Sequence, residues 1–273
     1  MSDPLYVVLG GYPAATLAVA FLKANLVAAL AIGVVAVARI VARRAFGPAA
    51  AYHLWGTPLA AALLALLVEI ARPHGDPWVF GISGAVLAAL ATVWTLGALG
   101  IAAVFAVAQA RFQAEVRAGR AGPAVIGFIS PLIVMPADDG RYTAEERELI
   151  RAHEREHVAR KDPRAAVLAA VFQSLCWFNP LVHLATRLIR LDQELACDAA
   201  VVRSRPAARA LYARTLLKTQ LAVTPLPFGC RWSPRGTHPL EVRIQQLKRR
   251  GVTGRTRGDG HGVVAASVHA IRP

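Results

Sequence analysis

Three stretches of this chain are too long and too apolar to be housed in a soluble core. The first 110 residues carry only five of the 31 Lys and Arg and three of the 17 Asp and Glu, so little interrupts Leu5 to Ile40, Tyr52 to Ile70 or Ile82 to Ala110. A helix needs about 20 apolar residues to cross a hydrocarbon core roughly 30 Å thick. Spans are expected at about 15–40, 52–70 and 82–110. A cleaved signal peptide fits poorly, because "MSDP" has no basic n-region and the apolar run after it is overlong.

The charges between these runs set an orientation, since short cytoplasmic loops retain Lys and Arg. Arg39, Arg43 and Arg44 follow the first run and Arg111, Arg117 and Arg120 follow the third, whereas "ARPHGDPWVFG" between the second and third offers only Arg72. The N-terminus is therefore expected outside and everything after Arg111 in the cytosol. The chain reads as residues 1–110 in the membrane, a polar domain over 111–250, and a Gly/Arg-rich basic tail over 251–273 whose composition favours disorder.

The formal net charge is +14. The arginines are scattered and no helix-turn-helix or zinc-finger signature lies near them, so direct nucleic-acid binding is not expected. Attraction to anionic lipid headgroups accounts for the same charge. Cys176, Cys197 and Cys230 form no CxxC pair and are odd in number, which argues against a disulfide framework or a cysteine zinc site and suits a reducing compartment.

The polar half contains "RAHEREHVARKD", Arg151 to Asp162. Thr143 and Glu146 form a T-x-x-E capping box, and the segment to about Arg160 reads as one helix. His153 and His157, at i and i+4, share a face and can reach one ion. Zinc suits paired imidazoles, and Glu154 between them is placed to act as a general base, as in the H-E-x-x-H pattern of zinc hydrolases. A catalytic zinc takes three protein ligands. Downstream, "RLIRLDQELACDAAVV" offers Glu194 and Asp198 on one helical face. One carboxylate can bind metal, and the other can accept a hydrogen bond from a ligating histidine and fix its tautomer. Asp192 points about 160° away from Glu194 around the helix and is the poorer ligand candidate.

Between the two motifs lies "AAVLAAVFQSLCWFNPLVHLAT", Ala165 to Thr186, apolar enough to suggest a fourth span. A single crossing would put the histidines and Glu194 about 30 Å apart on opposite sides of the bilayer. Asn179-Pro180 resolves the conflict by breaking the run into two short helices, because proline removes a donor and disfavours helix in the residue before it. The stretch is then either domain core or an apolar face dipped into the inner leaflet. Ahead of the metal helix, "AVIGFISPLIVMP" reads as two β segments, Ala124 to Ile129 and Leu132 to Met135, as a structural hairpin or as an edge for an extended substrate.

The series "GFISPLIVMP", "HEREHVARKD", "CWFNPLVHLATRLIRLDQELACDAAVV" and "THPLEVRIQQL" resembles the membrane metallopeptidases of the BlaR/MecR antirepressor kind, and the last element also resembles the HtpX and CAAX-protease group. The resemblance implies a mainly α membrane protein: three N-terminal transmembrane helices and a cytosolic α+β gluzincin-like zinc peptidase domain with a small β element. It implies His153, His157 and Glu194 on Zn2+, Glu154 as general base, and Asp198 steadying a ligand. His238, in the "THP" element, matches a histidine that lies near the metal in related peptidases and steadies the oxyanion. Arg243 would pair with an acid or contact substrate.

Also implied are a multi-pass location in a bacterial plasma membrane and regulatory cleavage of a cytosolic winged-helix transcriptional repressor, with a homodimer as a possible assembly. The alternatives are an HtpX-like quality-control protease and a non-catalytic membrane scaffold. Antirepressor receptors continue into a further span and an external penicillin-binding sensor, whereas this sequence stops at Pro273, so direct β-lactam sensing is not expected of it.

Overall fold

A computed structural model of the chain describes residues 8–9, 12–71, 84–135, 137–222 and 239–248. Two short strands, β1 (Val8–Leu9) and β2 (Tyr12–Pro13), pair antiparallel ahead of α1 (Ala14–Ala45). Then follow α2 (Pro48–His53), α3 (Gly56–Ala71) and α4 (Gly84–Arg117). Three stretches are long and apolar enough to cross a membrane: Thr16–Ala45, Pro48–Ala71 and Gly84–Arg117. The second is not the single helix expected. It is interrupted between His53 and Gly56, where the buried Trp55 donates to Asp192.

After α4 an antiparallel hairpin of β3 (Ala124–Ile126) and β4 (Leu132–Val134) pairs Val125 with Ile133. β3 is shorter than the expected segment because Gly127 has φ +84, which turns the chain, and a Cβ there would meet the Ser130 carbonyl at 2.7 Å. Next come α5 (Ala144–Ala159), α6 (Asp162–Leu175), α7 (Pro180–Ser204), a 3₁₀ turn at Pro206–Ala208, α8 (Arg209–Ala222) and α9 (Pro239–Lys248).

Helix starts follow local chemistry. The Thr143 side chain accepts from the Glu146 amide while Glu146 caps the Thr143 amide in return, the reciprocal box expected for α5. Lys161, in the left-handed conformation at φ 60, turns the chain between α5 and α6. Asn179 caps α7 by accepting from Leu181, with Pro180 in the first helical position, where its missing N–H costs nothing.

The break at Asn179-Pro180 is therefore where proline chemistry puts it, but the second piece is not short. α7 runs unbroken for 25 residues and carries both the end of the apolar stretch and Glu194. It is the spine of the molecule. At one end Ile32, Val35, Trp55, Cys176, Val182 and Ala185 close a core between α1, α6 and α7. At the other, Leu149, Val201, Val202, Tyr212, Leu216 and Leu247 close a second core between α5, α7, α8 and α9. Between them Asp192, with no exposed surface, accepts from Arg39 at 2.9 and 3.0 Å and from Trp55 at 2.9 Å. Burying a charge is costly unless it is paired and hydrogen-bonded. Here α1 and the α2–α3 link supply the partners.

Candidate metal centre

α5 presents His153 and His157 toward α7, and Glu194 on α7 completes a group of three whose ligand atoms lie within 4.8 Å of one another. The two Nε2 atoms approach to 3.1 Å. Glu194 Oε2 lies 3.3 Å from His153 Nε2 and Oε1 lies 3.6 Å from His157 Nε2. Ligands at zinc distances of about 2.0–2.1 Å in a tetrahedron stand about 3.3 Å apart. The spacing therefore fits one ion.

The hydrogen-bond network decides which nitrogens face that point. Asp198 accepts from two nitrogens of the Arg243 fork, at 2.8 and 2.7 Å, and so faces its neighbours as an acceptor. The Tyr212 hydroxyl at 2.6 Å therefore donates its proton to Asp198, leaving its oxygen to accept from His153 Nδ1 at 2.8 Å. His157 Nδ1 donates to Asp162 Oδ2 at 2.8 Å. With both Nδ1 atoms committed as donors, both Nε2 lone pairs point at each other and at a carboxylate, an arrangement that repels itself unless a cation stands between. The donor set suits a divalent metal of zinc's type.

The electrostatics agree. Loss of hydration works against charge on His157, but Asp162, Cys197 and Glu194 outweigh it and hold its proton affinity well above the ordinary value. Burial likewise opposes ionisation of Glu194, yet the Arg243 guanidinium, 2.9 Å away, and the two imidazoles hold its carboxyl well below the usual range. The surroundings call for positive charge at this spot, which a proton or a metal can supply. Glu154, buried beside the pair, has its carboxyl raised by burial.

A second group, His157, Asp162 and Cys197, also has metal-ligand spacing. It is better understood as the support of the first. His157 Nδ1 is already spent on Asp162, and burial pushes the Cys197 thiol up to about 11, which keeps it a neutral S–H 3.8 Å from Asp162 instead of a thiolate ligand.

Of the residues singled out in the sequence, His153, Glu154, His157 and Glu194 are gathered here. Asp198 is near, but 3.5 Å from His153 Nδ1, so it works through Tyr212 and not by the direct bond expected. His238 lies outside the described residues, as do the tail over 251–273 and Cys230. Asp192 faces away from the histidines, in keeping with its helical phase. Arg243 pairs with acids, which decides the alternative left open for it.

Sequence reading did not assign roles to Asp162, Tyr212 and Cys197, or to Tyr52, whose hydroxyl donates to Asp162 Oδ1 at 2.8 Å. Asp162 stood in the quoted motif, five residues past His157. Only the left-handed turn at Lys161 brings it back, and nothing local announced that turn.

The family model described as BlaR1 peptidase M56 matches residues 108–247, just over half of the chain. Among curated proteins, the Regulatory protein BlaR1 of Bacillus licheniformis is 30% identical over 100 residues, which cover 35% of this chain and 17% of that protein. The similarity thus spans less than a fifth of the relative's length.

Proposed function

The chain belongs to the BlaR1 peptidase M56 family, and from that premise we propose that it is a multi-pass membrane zinc endopeptidase whose site opens at the cytosolic face. The observation that carries this is the convergence of two bare imidazole nitrogens and a carboxylate on one point. His153, His157 and Glu194 would hold the ion, which would supply Lewis acidity for the hydrolysis of a peptide bond. Glu154, next to His153 on the same helix and kept basic by burial, takes the attacking water's proton and passes it to the leaving amine. Asp162 and Tyr212 keep the Nδ1 protons in place, and Arg243 fixes Glu194 and Asp198 together.

His238 is proposed to donate to the oxyanion, and the β3–β4 hairpin offers a backbone edge for an extended polypeptide. Residues 1–110 form the membrane part, with the N-terminus outside, and 111–250 the peptidase part. The word "Regulatory" in the relative's name supports a signalling role. The proposed substrate is a cytosolic winged-helix repressor.

The test separates metal from chemistry. Purified protein should carry about one equivalent of zinc. His157→Ala should lose it, and Glu154→Gln should retain it while cleavage of a candidate repressor or peptide library disappears. Proteolysis surviving in Glu154→Gln would end the assignment of the base. Absence of zinc from the parent protein would end the enzyme.

A further inference from the structure

The apolar stretch over 165–186 has one exposed stripe. Val167, Leu168, Val171, Leu175 and Phe178 are each 38–50% exposed, and Leu184 on α7 is 41% exposed. The helical spacing puts the α6 members on one face, with Arg164 at its base. Such a stripe is costly in water unless something covers it.

Three helices measure how far the turn between α6 and α7 lies from the charged end of the bundle. On α4, Trp94 donates to the Leu175 carbonyl at 2.8 Å and accepts from Trp177 at 3.2 Å. At about 1.5 Å per residue, Trp94 stands about 25 Å along the helix from Arg111. On α1, Asn25 accepts from Asn179, and it stands about 21 Å from Arg39 by the same rise. On α7 itself, Pro180 stands about 18 Å from Asp192, which holds Arg39. All three distances exceed half of a roughly 30 Å hydrocarbon core.

Backbone carbonyls at the turn find partners within the protein. The Leu175 carbonyl, freed by the end of α6, is taken by the Trp94 indole, and the Trp177 carbonyl lies 2.9 Å from His183 Nε2. Non-helical backbone is tolerated at membrane depth only when its polar groups find partners within the protein. Arg187 lies about 8 Å along α7 from Asp192, within the reach over which a long side chain snorkels back to the interface.

We propose that α6 and the first half of α7 form a re-entrant hairpin, inserted from the cytosolic side past the bilayer midplane, with the Val167–Leu168–Val171–Leu175 stripe against lipid acyl chains. Arg164, whose Nε donates to the Phe128 carbonyl at 3.1 Å, brings the β3–β4 turn to the same level. Phe128 and Ile129, 52% and 73% exposed, then rest at the headgroup boundary. The metal centre is held at the membrane surface, and a substrate must present its scissile bond there. The inference rests on the membrane reading of α1, α3 and α4.

The test uses full-length protein with Cys230→Ser, Cys176 and Cys197 being buried, reconstituted in phosphatidylcholine and phosphatidylglycerol vesicles. Spin labels are placed by Leu168→Cys, Val171→Cys and Leu175→Cys, with Leu96→Cys on α4 as the membrane control and Arg155→Cys as the water control. Relaxation by oxygen should exceed relaxation by a water-soluble nickel chelate at all three α6 sites, increasingly from Leu168 to Leu175. Nickel access at Leu175 would overturn the hairpin, and so would protection from both agents, which means a protein partner covers it. If Leu96 is also water-accessible, the membrane reading itself has failed. If Leu96 is in lipid and Leu175 is not, only the hairpin has. Labelling of the unmodified protein by a lipid-phase carbene, read by mass spectrometry, answers the same question without substitutions: modification of α6 peptides is expected, and its absence refutes.

Discussion

Replacement of Asp162 tests whether the proposed metal site depends on a bond from α2. Asp162 Oδ2 orients His157 at 2.8 Å while Oδ1 is held by Tyr52 at 2.8 Å. Removing a carboxylate that orients a ligating histidine typically costs 10–100-fold in metal affinity, or about 1.4–2.8 kcal/mol. Asp162→Ala loses both the charge and the acceptor and belongs at the upper end. Asp162→Asn keeps an amide oxygen that can accept from Nδ1 and belongs near the lower end, about tenfold. Tyr52→Phe leaves Asp162 in place but less constrained, so its cost is smaller than that of Asp162→Asn.

The decisive measurement is the double-mutant cycle. Since the Tyr52 hydroxyl, the group lost in Tyr52→Phe, bonds to Asp162, adding Tyr52→Phe to Asp162→Ala should leave the zinc dissociation constant unchanged within about twofold. Zinc affinity is read by competition with a chromophoric chelator in detergent, without reference to catalysis. An Asp162→Ala protein binding zinc as tightly as the parent would refute the orienting role. Additive costs would refute the path through Tyr52.

Two further outcomes follow from the packing. The Glu146 carboxyl lies below the ordinary value of 4.5, first because Lys218 donates to it and then because it caps Thr143. A lowered carboxyl contributes stability that is complete above its unfolded value and lost as pH falls through the folded one. Acid unfolding followed by circular dichroism should therefore begin below about pH 4.5 and move to higher pH in Lys218→Met; an unchanged profile would refute it. Gly97 lets Trp177 lie against α4, and a Cβ there would stand 2.2 Å from the indole. Gly97→Ala should cost about 1–3 kcal/mol, the usual range for overpacking, and perturb tryptophan emission. A thermal midpoint equal to the parent's would show that the ring moves freely.

The local rules carried far in the sequence. The capping box located α5, proline chemistry located the start of α7, and helical phase separated Glu194 from Asp192. What they could not reach was anything set by two distant segments. Asp192 looked like a spare acid because its partners, Arg39 and Trp55, lie more than a hundred residues away. Tyr212 carries no pattern of its own, and it matters only because it stands between His153 and Asp198. The second apolar run looked continuous because a side-chain bond from Trp55 to another helix has no signature in hydropathy.

Those long-range bonds bear on whether residues 111–250 form a unit that stands alone. Two of the three proposed ligands depend on side chains from the first 110 residues: His157 through Asp162 and Tyr52, and Glu194 through Asp192, two positions earlier on α7. A fragment of residues 111–250 keeps Asp192 but loses Arg39 and Trp55. Breaking a buried ion pair by removing one partner costs about 3–5 kcal/mol, a large share of the 5–15 kcal/mol that typically separates folded from unfolded chains. The fragment, purified in detergent, should therefore unfold at lower temperature and bind zinc more weakly than the full chain. Asp192→Asn should recover much of the stability, because it removes the stranded charge, while zinc affinity stays low because Tyr52 is still missing. A fragment that matches the full chain in both would show that the boundary near residue 110 divides independent parts. The opposite result would mean that α1 and α2 are structural components of the metal centre.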